Sequence, residues 1–118
     1  FTYIGDIVDG ITKVIANPAK PNLHWDPINP DPGSSFAPWK VYNIGNNKKV
    51  ELKDFISLLE SCLGKKAKKN LLPLQPGDVP ETDADISSLQ KDFKYNPRTS
   101  VEEGIKKFVD WYLDYYGT

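Results

Sequence analysis

The sequence predicts an α/β fold, either one domain or part of one. Strand-like segments alternate with amphipathic helical segments along the 118 residues. Two helical segments also carry boundary signals: Gly64 ends one, and Ser100 with Glu103 forms a capping box that opens another. A chain of this length buries roughly two-thirds of its unfolded surface, so we expect a modest core.

The first element is a strand candidate over residues 1–4, which are rich in β-favouring residues. Asp6 is placed to cap the following helix, in which apolar residues recur at helical spacing. Residues 17 and 18 are Asn-Pro, which ends this helix. Residues 18–39 form a proline-rich loop, in which Trp25, Phe36 and Trp39 favour packing onto another surface. Disorder is the alternative for this loop.

Residues 40–44 are predicted to form a second strand, and turn residues follow it. Residues 52–63 form the clearest helix, with an apolar stripe that includes Cys62. A lysine-rich tract, residues 65–69, precedes a third strand candidate at residues 71–74.

Two helices complete the predicted elements. Asp85 is placed to cap a short helix over residues 86–93. The capping box opens the last helix, whose apolar positions continue to Tyr116 before Gly117.

A turn follows the third strand candidate. Pro76 presets φ for the first central position of a turn, and Gly77 accepts the positive φ of the second. Asp78 is therefore expected to be held rigidly by a fixed backbone. Pro-Gly-Asp alone indicates only a turn, and its function depends on the rest of the chain.

Composition excludes several function classes. The net charge is −1, which gives no electrostatic reason to expect nucleic acid or an anionic membrane. The single cysteine, Cys62, rules out an internal disulfide and fits a reducing compartment, so we expect a cytoplasmic protein. The sequence has no run of about 18 apolar residues and no signal-peptide pattern.

The chain is poor in catalytic and cofactor-binding residues. His24 is the only histidine, so a histidine-based triad or metal cluster has no basis, and Cys62 is expected to pack as a small apolar residue. Gly45 lacks the companion glycines of a dinucleotide site. The lysine-rich tract could bind phosphate or nucleic acid, but a solvated tract is favoured. We expect no catalytic, cofactor or metal site here, and no activity from the chain alone.

The chain begins at Phe1, has no methionine, and opens with an apolar, strand-like segment. These features favour the C-terminal piece of a longer protein.

Several segments, taken in order, resemble the C-terminal part of NAD-dependent nucleotide-sugar epimerases of the extended short-chain dehydrogenase/reductase family. The UDP-glucuronate 4-epimerase branch is the most similar. The resemblance covers essentially the whole chain, and it rests on residues 1–8, 41–47, 50–52, 70–80, 84–85 and 102–112 together with the proline-rich loop.

This resemblance implies a two-part enzyme that supplies polysaccharide biosynthesis. Its Rossmann core, missing here, would hold NAD and a Tyr-x-x-x-Lys pair, remove hydride from the sugar and return it to the opposite face. The present chain would be the α/β substrate-binding subdomain that grips the UDP group. Residues 1–17 would pack on the Rossmann core, residues 18–39 would be a loop, and residues 40–118 would bind substrate.

Four residues match substrate-binding positions of the family. Asp78 resembles the acid that accepts hydrogen bonds from the ribose hydroxyls. Gln75 stands where galactose-type epimerases have an arginine on the diphosphate, so it would contribute hydrogen bonds without charge. Val50 matches an apolar contact to the nucleoside, and Thr82 borders the sugar.

The expected partner is a UDP-sugar. The parent would be a homodimer, and the chain alone would self-associate through its uncovered apolar face. Two alternatives remain. One is a nucleotide-sugar dehydratase or decarboxylase of the same fold. The other is a non-enzymatic module that binds a partner through the aromatic loop, residues 25–39.

Overall fold

The computed structural model describes residues 1–79 and 82–117. The elements of this part are four helices, which pack in two pairs, α1 with α3 and α2 with α4. Their bounds are α1, Ile4–Ile15; α2, Leu52–Leu63; α3, Ser87–Phe93; and α4, Val101–Tyr116. None of these helices is both long and apolar enough to cross a membrane.

Helices α2 and α4 confirm their sequence predictions. Gly64 ends α2 in the left-handed region at φ 62°, and Gly117 ends α4 at φ 65°. Ser100 caps α4, because its hydroxyl accepts a hydrogen bond from the Glu103 backbone N–H at 3.1 Å. Cys62, however, is exposed rather than packed, since it lies at the margin of the apolar stripe near the end of α2.

Helices α1 and α3 form with different starts from those predicted. Helix α1 begins at Ile4, with Tyr3 as its N-cap, and the Asp6 carboxylate accepts a hydrogen bond from the distant Thr99 N–H at 3.1 Å. Asp6 therefore links the two ends of the chain instead of capping α1. Asp85 does support the start of α3, by accepting from the Ser87 N–H at 2.9 Å.

The three strand predictions are wrong, and the described chain is mostly helical rather than α/β. Residues 1–4 run into α1, while residues 40–44 and 71–74 form no named strand. The one β-bridge in the described part joins Ser34 to Lys40. A strand forms only when another segment pairs with it over several residues. In the described part, residues 40–44 have a partner only at that one bridge, and residues 1–4 and 71–74 have no β-partner.

The proline-rich loop folds back on itself. The Asn22 N–H donates to the Ser35 carbonyl at 2.9 Å, and its side chain donates to the Ser34 hydroxyl at 3.1 Å. Trp25 packs edge-on against Phe36, with ring centroids 5.4 Å apart, and donates its indole N–H to the Asp31 carbonyl. Within the loop, Trp25 and Phe36 therefore pack on each other.

The core is small for a chain of this length. Ile86, Leu89 and Tyr95 form its centre, and α1 passes over it at Gly10. The radius of gyration is 18.9 Å, against about 13.5 Å expected for a compact domain of this size. The accessible surface is 9535 Å², whereas a folded monomer of this mass exposes about 6,500 Å². Much apolar surface is therefore uncovered.

Candidate functional site

The turn that precedes Asp78 has the geometry that the sequence predicts. The Asp78 N–H donates to the Gln75 carbonyl at 3.1 Å, and Gly77 has φ 94°. Pro76 and Gly77 thus occupy the central positions of a type II turn, in which the second position requires positive φ. This turn fixes the backbone of Asp78, and Asp78 is exposed to solvent.

Gln75 and Asp78 are the first and last residues of the hydrogen-bonded turn, and the other two predicted residues are not part of it. The Gln75 side-chain amide donates one hydrogen bond to the Pro73 carbonyl at 2.8 Å. Val50 is half-buried just before α2, and Thr82 is exposed directly beyond the undescribed residues 80 and 81. In the described residues, no hydrogen bond links Val50 or Thr82 to the turn.

Helix α2 carries a buried carboxylate, Glu60, that the sequence analysis did not predict. The Glu60 side chain, 6% exposed, accepts from Lys66 at 3.0 Å and pairs with Lys69 at 2.9 Å. It also accepts from the Ala67 backbone N–H at 3.0 Å. The ammonium groups of Lys69 and Lys66, followed by that N–H, lower the pKa of Glu60 from 4.5 to about 2.

The expectation of a solvated lysine-rich tract is therefore only partly correct. Lys66 and Lys69 are ion-paired to Glu60, so a buried carboxylate already compensates part of the positive charge of this tract. The sequence spacing of Glu60, Lys66 and Lys69 does not predict these ion pairs, because the lysines reach Glu60 only after the chain reverses direction at Gly64.

A second ion pair holds the end of the proline-rich loop against α3. Lys40 pairs with Asp92 at 2.5 Å, and the Tyr42 hydroxyl donates to the same carboxylate at 2.7 Å. The hydrogen bond from Lys40 and then that from Tyr42 lower the pKa of Asp92. Both contacts are to Oδ2 of Asp92, and this cluster joins two segments of the fold.

Two clefts open beside the helices. An apolar cleft of about 640 Å³ lies between the N-terminal segment, α2 and α4, and Phe55, Phe108 and Trp111 contribute to its walls. A groove of about 930 Å³ runs between α2 and the lysine-rich tract. Gln75 and Asp78 line neither cleft, so the predicted ribose contact projects from an open surface.

Besides its carboxylates, the chain has one histidine and one cysteine as candidate metal ligands. His24 lies exposed in the proline-rich loop. Within residues 1–79 and 82–117, no group of three or more His, Cys, Asp or Glu side chains could hold a metal ion.

Comparisons with known proteins identify relatives of the whole chain. No protein-family profile matches it. "Protein CapI" of Staphylococcus aureus is 53% identical over 116 residues, which are 98% of this chain and 35% of the relative. "UDP-glucuronate 4-epimerase 2" of Arabidopsis thaliana is 42% identical over 122 residues, which cover 98% of this chain and 26% of the relative.

A solved structure gives the same result. It is the crystal structure of a UDP-glucuronic acid 4-epimerase variant from Bacillus cereus in complex with UDP-4-deoxy-4-fluoro-glucuronic acid and NAD. The TM-score is 0.70 at 30% identity, over 98% of this chain and 32% of that one. The chain thus spans about a quarter to a third of the length of the relatives it matches. Over 98% of its length, it is a homologue of a C-terminal part of UDP-glucuronate 4-epimerases.

Proposed function

We propose that this chain is the UDP-sugar-binding part of an NAD-dependent nucleotide-sugar 4-epimerase of the UDP-glucuronate to UDP-galacturonate type. Support comes from the similarity to epimerases over 98% of the chain. The similar solved structure contains a UDP-glucuronic acid analogue. In this proposal the parent enzyme is a cytoplasmic homodimer, and residues 1–17 pack on its Rossmann core.

The described residues do not fit NAD themselves. A dinucleotide site needs a glycine-rich turn between a strand and a helix. Gly45 has no companion glycines at that spacing, and no strand precedes it in the described part. NAD and the catalytic residues would therefore belong to the rest of the parent, and the chain alone would be inactive.

The observation that carries the proposal is that Asp78 is exposed on a backbone held by the type II turn. A ribose presents two neighbouring hydroxyl donors, and a carboxylate presents two acceptor oxygens. The type II turn orders the Asp78 backbone before the ligand arrives. Less conformational entropy is then lost on binding than with a flexible loop.

Gln75 would act beside Asp78 on the diphosphate. Its amide nitrogen carries two N–H donors, of which one is used on Pro73, so the second is available for a phosphate oxygen. Because an amide brings no charge, neutralisation of the diphosphate would rest on other residues of the parent. Val50 would contact the nucleoside, and Thr82 would limit the size of the sugar.

UDP binding to the intact parent protein tests the role of Asp78. We expect Asp78→Asn to weaken UDP binding by about tenfold or more in calorimetric titration, because a charge-assisted hydrogen bond is lost. Asp114→Asn, on the exposed face of α4, is the matched control and should bind as wild type. Unchanged UDP affinity in Asp78→Asn would refute the ribose contact, and no UDP binding by the wild type would refute the proposed function.

Product analysis separates this proposal from its alternatives. The intact parent should convert UDP-glucuronate to an epimer of the same mass, whereas a dehydratase would release water and a decarboxylase carbon dioxide. The chain alone, supplied with NAD and UDP-glucuronate, should form no product. A non-enzymatic module acting through residues 25–39 would bind a partner unaided and show no turnover in any form.

A further inference from the structure

Glu60 is charged and buried, and its environment satisfies both of its oxygens. One oxygen accepts from Lys66, and the other contacts Lys69 and the Ala67 N–H. A buried carboxylate without partners would be strongly destabilising, so this set of contacts is a condition for the observed packing. All three partners belong to the segment that follows α2, and none belongs to another helix.

These contacts fix the direction in which the chain leaves α2. The backbone turns at Gly64, and the Lys65 N–H donates to the Glu60 carbonyl at 3.2 Å. Glu60 then holds Lys66, Ala67 and Lys69 by its side chain. Both the backbone and the side chain of Glu60 therefore contact the segment that follows α2.

Residues 70–79 beyond this anchor make few contacts of their own. They are exposed, and their two hydrogen bonds, from Gln75 to Pro73 and from Asp78 to Gln75, are internal to the segment. The next described attachment lies at residues 84 and 85, where the Asn43 side chain donates to the Asp85 carbonyl at 3.2 Å. In the described part, the segment that carries the turn is therefore attached at its two ends, at Lys69 and at Asp85, and not along residues 70–79.

We propose that Glu60 is a positioning residue for UDP binding, which sets the location of the Gln75–Asp78 turn by holding Lys66, Ala67 and Lys69 against α2. This inference rests on the function proposed above. The turn carries its own local geometry, whereas its placement relative to Val50 and to the rest of the enzyme depends on the anchor. Loss of the anchor leaves the turn intact but displaced from the ligand.

The test uses the intact parent protein with Glu60→Gln. Glutamine keeps the size of the side chain and loses the charge that holds both lysines. We expect the UDP dissociation constant and the KM for UDP-glucuronate to rise about tenfold. The kcat should stay within about twofold, the pattern for loss of binding shared by ground and transition states. Glu103→Gln, which breaks the exposed pair with Lys107 at 2.7 Å, is the control.

A second variant keeps the test decisive if Glu60→Gln does not fold. Lys69→Gln removes one partner and leaves the Lys66 and Ala67 contacts, so KM and the UDP dissociation constant should rise by a smaller factor. Circular dichroism of each variant establishes that it is folded.

The outcomes separate the two proposals. Wild-type UDP affinity and KM in folded Glu60→Gln, or an equal rise in Glu103→Gln, would overturn the role of Glu60 while the proposed function stands. A fall in kcat with unchanged KM would overturn it as well. If wild-type parent binds no UDP, the proposed function fails first and the positioning role fails with it.

Discussion

Gly10 allows α1 to approach the core, and replacing it with alanine tests that packing. A Cβ at this position would lie 2.5 Å from Ile44 Cδ1 and 3.1 Å from Tyr95 Cε2. The end of the Ile44 side chain can rotate away, but Tyr95 is 1% exposed and is held in the core. Overpacking of this kind costs about 1–3 kcal/mol. Alanine in a helix interior recovers about 1 kcal/mol, so the net loss is between about 0 and 2 kcal/mol.

Gly104, in α4, is the matched control. A Cβ there would meet Tyr3 at 3.5 Å, which is ordinary van der Waals contact. Gly104→Ala should therefore stabilise the chain by about 1 kcal/mol through helix propensity alone. Urea unfolding followed by far-ultraviolet circular dichroism gives both free energies, provided that the m-values agree. If Gly10→Ala proves as stabilising as Gly104→Ala, α1 does not lie on Tyr95 and the described core is wrong.

Three further predictions concern the chain itself. The folded-state pKa of Glu60 lies below 4.5, so its carboxylate stabilises the fold above that pH. The stability difference between wild type and Glu60→Gln should narrow as the pH falls from 4.5 towards about 2; a constant difference would contradict the ion pairs. Ser100→Ala should lower the free energy of unfolding by about 1 kcal/mol, because the N-cap hydrogen bond of α4 is lost. An unchanged free energy of unfolding would show that Ser100 does not cap α4. The chain alone should sediment as a dimer or larger and bind a hydrophobic dye, less so in Trp111→Ser, because Trp111 is 53% exposed. A monomer that binds no dye would show that the apolar surface around Trp111 is not exposed in solution.

Helices α2 and α4 were predictable because their signals are local. A glycine at the C-terminus, a serine at the N-cap and an apolar stripe act within a few residues, whatever the rest of the chain does. The turn at Asp78 was predictable for the same reason, since Pro76 and Gly77 restrict their own φ angles.

The strand predictions failed because β-structure depends on a partner that the pattern cannot supply. Tyr42 and Ile44, from the second strand candidate, pack against the core, where Tyr42 lies edge-on to Phe93 with ring centroids 5.4 Å apart. They reach it from an extended segment without a β-ladder. The Glu60 contacts could not be predicted for a related reason. They depend on which side of α2 Glu60 occupies and on the direction that the chain takes after Gly64.

Exposed apolar side chains surround the Asp78 turn, and this chain does not cover them in its described part. Leu71, Leu72 and Leu74 are 83%, 70% and 66% exposed beside the turn. Apolar side chains gain roughly 1.5–3 kcal/mol each on full burial, so covering a segment that exposes three of them next to an ordered turn is energetically favourable. A nucleoside offers an apolar base face together with ribose hydroxyls, and the rest of the parent offers further cover. The exposure of these apolar side chains beside the turn therefore supports a binding role for the Asp78 turn.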